Sequence, residues 1–235
     1  MPEYDLKHKI KLSIIIPTFN EAANIGVTLE ALKGSGIDVA YDIIVADGGS
    51  ADATADEAHG HGAMVVDSPR GRGIQLAAGA AQAQAGWLLF IHADTTLKAG
   101  WWPEAKAFMD DAANSRKAAA FRFRLDDDCR AAGVLETLVG WRSRWLALPY
   151  GDQGLLISTA FYQELGGFAA MGLMEDVDMV RRIGRRRLVL LDADVMTSAD
   201  KYRREGYLFR PLRNVLCLSL YFLGVPDRTI ERLYR

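Results

Sequence analysis

Between Leu12 and His92, short apolar runs alternate with helix-like patterns, and this alternation restricts the possible folds more than any other feature of the chain. Leu12–Ile16 reads Leu-Ser-Ile-Ile-Ile, as a strand buried on both faces must, and Pro17, which has no N–H for a ladder, is expected to stop it. The pattern then predicts a helix over Ala22–Lys33 ended by Gly34 and Gly36, a strand over Asp42–Ala46, a short helix over Asp52–Ala58 and a strand over Ala63–Asp67. A helix rich in Ala and Gln, Gly73–Ala85, leads to a fourth strand at Trp87–His92. Units of this kind build a parallel sheet with right-handed crossovers, and ligands bind at the carboxyl ends of its strands.

The second half is less regular. It predicts helices over Gly100–Ala113, Arg130–Ala147, Thr159–Leu165 and Glu175–Gly184, and strands over Ala118–Leu125, Gly154–Ser158 and Arg187–Leu191. No linker, repeat or low-complexity segment interrupts the 235 residues, a length that suits one generous α/β domain. The expected class is α/β: a nucleotide-binding βαβ half over residues 12–95, a mixed sheet continuing over residues 96–200, and a helical extension over residues 201–235.

Residues 1–180 carry 15 basic and 24 acidic side chains, whereas residues 181–235 carry 13 basic and 6 acidic ones. An overall pI near 6.1 argues against a nucleic-acid polymer as partner, while a basic tail suits anionic lipids, phosphorylated substrates or a solvated arginine-rich face. The tail from Lys201 to Arg213, with Arg203 and Arg204, is expected to close over phosphates or dock an anionic acceptor. Val215–Val225 is an apolar run of 11 residues, well short of the roughly 20 that span a bilayer, so it reads as a docked helix, or as one that lies on a membrane surface or binds a partner. Cys129 and Cys217 make no framework, and Met1–Lys11 is charged and lacks a secretory apolar core. The expected location is cytoplasmic, with peripheral contact at the inner face of the membrane.

Three polar clusters follow predicted strands: Pro17-Thr18-Phe19-Asn20-Glu21, Asp47-Gly48-Gly49-Ser50 and His92-Ala93-Asp94. Asp47 offers a carboxylate to a base or ribose, and Gly48 and Gly49 let the backbone approach a ligand. Asn20 equally suits a cap on the first helix, and Ser50 or Asp52 a cap on the second. The chain has neither GxxxxGK[ST] nor GxGxxG, so bound phosphates need other neutralisation, such as a divalent cation held by one or two carboxylates. Asp94 with His92 is the preferred pair for it, and Asp192, Asp194 and Asp126–Asp128 are alternatives. An imidazole ligand suits Mn²⁺ better than Mg²⁺. Glu175-Asp176-Val177-Asp178 opens a helix, where its acids either complement the helix dipole or, for Asp176, supply a general base.

Taken together, these residues resemble the inverting, GT-A-fold glycosyltransferases of the family-two type. The matching pieces are Ser13-Ile-Ile-Ile-Pro-Thr-Phe-Asn-Glu21, Asp42-Ile-Ile-Val-Ala-Asp-Gly-Gly-Ser-Ala-Asp52 with Thr54, Gly71-Arg72-Gly73 with Gln75 and Gly79, Gly86 to Asp94, and Gly166-Gly-Phe168 leading to Glu175-Asp176. The resemblance implies that Pro17, Thr18, Asn20, Glu21, Asp47, Gly48, Gly49 and Arg72 border the nucleotide. It makes Asp94 the metal-binding Asp, with His92 standing where a first Asp is common. It makes Asp176 the catalytic base, supported by Glu175. A sugar would pass with inversion from a nucleotide-diphosphate donor to an unidentified acceptor hydroxyl, assisted by Mn²⁺ or Mg²⁺. The phrases His92-Ala-Asp-Thr95 and Gly151-Asp-Gln-Gly154 look closest to small bacterial members, and the lack of Gln-x-x-Arg-Trp points away from processive synthases. Two alternatives stay open: a non-catalytic nucleotide-sugar or lipid-headgroup binding protein, and a sugar nucleotidyltransferase.

Overall fold

A computed structural model describes residues 11–234. The charged segment preceding Lys11, from which a cytoplasmic location was expected, lies outside them. Eight strands form one sheet in the order β3-β2-β1-β4-β7-β6-β8-β5. They are β1 (Leu12–Thr18), β2 (Tyr41–Asp47), β3 (Met64–Asp67), β4 (Trp87–Phe90), β5 (Thr95–Leu97), β6 (Ala118–Leu125), β7 (Leu155–Ser158) and β8 (Leu188–Thr197). The first four are mutually parallel, as the alternation of runs requires. Around them pack α1 (Ala22–Lys33), α2 (Thr54–Gly60), α3 (Arg72–Gln82), α4 (Trp101–Asp110), α5 (Arg130–Leu146), α6 (Thr159–Glu164) and α7 (Glu175–Ile183). The helical extension is α8 (Asp200–Glu205), α9 (Phe209–Phe222) and α10 (Asp227–Tyr234).

The apolar run of β1 is continuous because both of its faces are covered. Ile14 and Ile16 pack with Leu89, Trp101 and Trp102 on one side, and Ile15 packs with Leu76, Leu88 and Phe90 on the other. Each fully buried side chain of this size contributes about 1.5–3 kcal/mol.

Pro17 does not end the strand. Pairing of β1 with β4 stops at Ile15 opposite Phe90, so Pro17 and Thr18 have a neighbour only in β2, and a missing N–H is tolerated there. The predicted strand at Arg187–Leu191 also runs further, to Thr197, with Ala193 and Val195 buried between more exposed neighbours. Asp192 and Asp194 therefore sit within a strand and not after one. Asp194 pairs with Arg122 and Arg124, and neither aspartate lines the cleft or the cavity that Asp94 lines, which sets this alternative apart from the site. Asp127 of the other alternative pairs with Arg203 and accepts from Tyr207.

Sheet register assembles the site. The parallel β1–β2 pair sets Thr18 beside Asp47. The antiparallel β4–β7 pair sets Phe90 beside Leu155, so the segment entering β7, Gly151–Gly154, runs next to the segment leaving β4, Ile91–Asp94. The antiparallel β5–β8 pair sets Thr95 beside Thr197 and carries Ser198 to Lys201 back over Asp94.

Candidate active site

At the ends of β1 and β2 the polar clusters bind one another. Asp47 accepts from Gly49 N (3.0 Å), Ser50 N (2.8 Å), Thr18 Oγ1 (2.9 Å) and Ser50 Oγ (2.5 Å). Asn20, with φ of 54°, donates its N–H to Ser50 Oγ and accepts from Ala51 N, while Glu21 N and Ala22 N donate to Thr54 and Asp52. Gln75 on α3 donates to the carbonyls of Thr18 (2.6 Å) and Ala46 (3.0 Å), and its side chain fills the space where a Cβ on Gly48 would lie. Asn20, Asp47, Gly48 and Gly49 thus tie the loops after β1 and β2 together as a floor for the site, and Pro17, Thr18, Phe19 and Glu21 line the cleft itself. Burial pushes the Glu21 carboxyl above its ordinary range, against the hydrogen bond from Asn24. Arg70, which sequence reasoning missed, lays its guanidinium 3.7 Å from the centre of the Phe19 ring.

His92 and Asp94 leave β4 toward the same cleft. Burial first, and the Arg72 charge second, push the His92 imidazole down to about 3, so it is neutral around pH 7. The Asp94 side chain is 8% exposed and meets Lys201 Nζ at 2.9 Å. Burial disfavours its charge, but Lys201 and the neighbouring positive groups hold it below the usual carboxylate range. Among the described residues no three His, Cys, Asp or Glu side chains converge as a ready metal cage. A cation here would take Asp94, with His92 adjacent, and fill its shell from a ligand.

Glu175 and Asp176 open α7 as expected, but they point differently. Glu175 is fully buried and meets Arg72 Nη1 at 3.4 Å. Burial raises its carboxyl to about 7 against the pull of Arg72, and Oε2 has no partner. Asp176 faces a cavity and accepts from Gly151 N and Val177 N, both at 2.7 Å. A Cβ on Gly151 would lie 2.6 Å from His92 Nε2, so a larger residue there displaces that ring. Gly73 is more tightly constrained, by backbone: a Cβ would lie 2.3 Å from the carbonyl of Ala169, where the segment leading to Glu175 crosses α3.

Asp152, in the Gly151–Gly154 phrase, is a further carboxyl at the cavity. Burial raises it to about 6 against the opposing charge of Arg142, and its Oδ1 is unpartnered. The cleft over Thr18 and Glu21, about 550 Å³, adjoins a smaller cavity of about 90 Å³ that holds Asp152 and Asp176. Arg72, His92, Asp94 and Lys201 line both. From the tail, Lys201, Arg204 and Arg210 reach the cleft, but Arg203 turns away to Asp127, where ion pairing holds it.

Residues 13–138 match the family model described as Glycosyl transferase family 2. The chain belongs to this family. The matched segment of the family 2 chain spans β1 to most of α5, including Asp47, Arg72 and Asp94, and stops before Asp152, Glu175 and Asp176. The fold is similar to that of glucosyl-3-phosphoglycerate synthase from Mycobacterium tuberculosis, solved with Mn²⁺, UDP and glucosyl-3-phosphoglycerate (TM-score 0.62, 19% identity, 93% of this chain and 81% of that one). It is also similar to the mannosyltransferase PcManGT from Pyrobaculum calidifontis with GDP-Man and Mn²⁺ (TM-score 0.65, 17% identity, 88% of this chain and 61% of that one). A third is S. aureus TarS 1-349 with UDP-GlcNAc (TM-score 0.61, 15% identity, 96% of this chain and 70% of that one). The shared fold is of GT-A type. A search of curated proteins found no match.

Proposed function

We propose that the chain transfers a sugar from a nucleoside-diphosphate donor to an acceptor hydroxyl with inversion. The main support is that the large cleft and the small cavity meet at Arg72, His92, Asp94 and Lys201, with Asp176 on the cavity side. Residues 12–95 then form the donor half, residues 96–200 the acceptor and catalytic half, and residues 201–235 a tail over the junction. Pro17, Thr18, Glu21 and the Phe19–Arg70 stack border the nucleoside, while Asn20, Asp47, Gly48 and Gly49 keep that border in shape.

The acceptor oxygen attacks the anomeric carbon from the side opposite the diphosphate and gives its proton to Asp176. The bond from that carbon to the diphosphate oxygen breaks, and the electron pair leaves with the diphosphate, whose charge Arg72, Lys201 and Arg204 face. Glu175 holds Arg72 in position. The residues fit a divalent cation, because the buried Asp94 carboxylate already draws a positive partner and neutral His92 leaves a nitrogen free to bind. When bound, such an ion neutralises the departing diphosphate. The structurally similar glucosyl-3-phosphoglycerate synthase and mannosyltransferase hold Mn²⁺ with UDP or GDP-Man, which supports nucleotide sugars of those bases as donors. The apolar, basic tail supports peripheral contact with a membrane at the cytoplasmic face; among the described residues no helix is long and apolar enough to cross one.

A thermal-shift panel of UDP, GDP, CMP and dTDP with Mn²⁺ or Mg²⁺ tests the donor assignment, because a ligand at 100 times its Kd adds about 2.7 kcal/mol. UDP or GDP with metal should stabilise the protein, and Asp94→Ala should abolish the metal-dependent part. Equal shifts in the variant would remove Asp94 from the cation site. The Lys201–Asp94 pair supports a second reading, a binding protein without turnover, which donor cleavage in Mn²⁺ would exclude.

A further inference from the structure

Of the fifteen large apolar side chains standing exposed among the described residues, twelve belong to α5 and to residues 208–223. On α5 they are Val134, Leu138, Trp141, Trp145 and Leu146, a stripe at helical spacing in which Trp141 is 63% and Trp145 55% exposed. Phe209, Leu212, Val215, Leu216, Phe222 and Leu223 follow the same spacing along and just past α9. The opposite side of α9 is occupied: Cys217 packs under it, and Asn214 faces the small cavity. The two helices are linked through one buried cluster: Leu148 and Tyr150, just past α5, and Leu218 and Tyr221 of α9 all pack against Leu173, Met174, Val177 and Cys217.

Arg210 and Arg213 of α9 pair with Glu205, and the exposed charges of these faces outside that pairing have one sign. Arg130 and Arg144 are the charged residues exposed on α5. Its one acid, Glu136, is turned to Arg124 and the N–H of Leu125. No acid occurs between Gly206 and Pro226, and Arg181 lies 5.1 Å over the Phe222 ring at the far end of α9. A helix with tryptophan and leucine on one face and arginine at its margins suits the boundary between headgroups and acyl chains. A second copy fits poorly, since its identical acid-free face would set arginine against arginine with no carboxylate to neutralise either.

We propose that α5 and α9 together form a docking surface for an anionic lipid bilayer, which presents the mouth of the small cavity to the membrane. This rests on the peripheral contact proposed above and adds a second helix and a lipid charge to it.

Flotation of the full chain with phosphatidylcholine vesicles, with or without one-third phosphatidylglycerol, tests it. Binding is expected to the anionic vesicles and to weaken in high salt. Trp141→Ser with Trp145→Ser, and separately Leu212→Ser with Leu216→Ser, should each weaken it roughly a hundredfold. Arg130→Gln with Arg144→Gln, which leaves the apolar packing intact, should weaken it about thirtyfold. Three results would overturn the proposal: no binding to anionic vesicles, unchanged binding when either helix is altered, or a dimer in sedimentation that the same substitutions dissolve while vesicles are ignored. The nucleotide panel is run without vesicles, so failure here leaves the donor assignment standing.

Discussion

At the end of the cleft proposed for the donor, Asp47 receives four hydrogen bonds within its own loops; at the end proposed for the acceptor, Asp152 and Glu175 each bury an oxygen that nothing meets. The first arrangement is finished in the free protein, and its polar groups shape a floor. The second is unfinished, and burial holds both carboxyls above their ordinary range. Buried polar groups left without partners are costly, and they concentrate where a protein handles protons or ligands. Under the transfer proposed above, the completed arrangement suits donor binding and the open carboxyls suit reaction with an acceptor.

Asp176 offers the largest break in this contrast. Asp176→Asn keeps the side chain's size but leaves one oxygen for the two N–H groups of Gly151 and Val177, so the melting temperature should fall by about 2–4 °C. Transfer should fall by about 10²–10⁴ in kcat with donor affinity retained. Parental turnover would assign the acceptor end a structural role only.

Asp47→Ala should act in the opposite manner. It strands the N–H groups of Gly49 and Ser50 and two hydroxyls, a cost of about 2–3 kcal/mol. For a chain of this size that lowers Tm by roughly 4–12 °C. Donor KM should rise more than kcat falls. An unshifted Tm would show that the floor is not preformed.

The smallest effect is in pH dependence. A carboxyl raised in the folded state binds more protons than in the unfolded state, so its contribution to stability is full below its unfolded value and fades as pH rises through the folded one. For Asp152 that window runs from about 4 to about 6. His92, pushed down to about 3, works in the opposite sense up to about 6.5, so the informative quantity is the difference between variant and parent. Asp152→Asn should melt progressively closer to, or above, the parent as pH rises through this window, by a few degrees at about 2–4 °C per kcal/mol. A constant difference would mean that Asp152 is not protonated in the folded protein at the low end.

The same contrast explains what could be read from the residues alone. The parallel half was legible, because buried strands and amphipathic helices have different periods, and Ala22–Lys33 and the polar clusters at the strand ends followed from that. Position at a strand end did not reveal whether a side chain lines the cleft, as Glu21 does, or binds its own loops, as Asn20 and Asp47 do. The second half depends on antiparallel pairings between segments far apart in sequence, β4 with β7 and β5 with β8. These bring Asp152 and Lys201 to Asp94, and no local pattern encodes such pairings. The three-residue β5 was missed for that reason. The Gly151–Gly154 phrase and the excess of positive charge in the tail were the available signals for Asp152 and Lys201.

Cleavage of a nucleotide sugar with water as acceptor tests the central claim most directly, because it needs no knowledge of the natural acceptor. With UDP- or GDP-linked sugars and Mn²⁺, NMR should show release of nucleoside diphosphate and, at the earliest times, free sugar in the anomeric form opposite to that of the donor. Asp176→Asn should lose both signals while still binding the nucleotide. Free sugar appearing first with the donor's own configuration, or nucleotide binding with no cleavage of any donor, would contradict the inverting transferase proposed for this cleft.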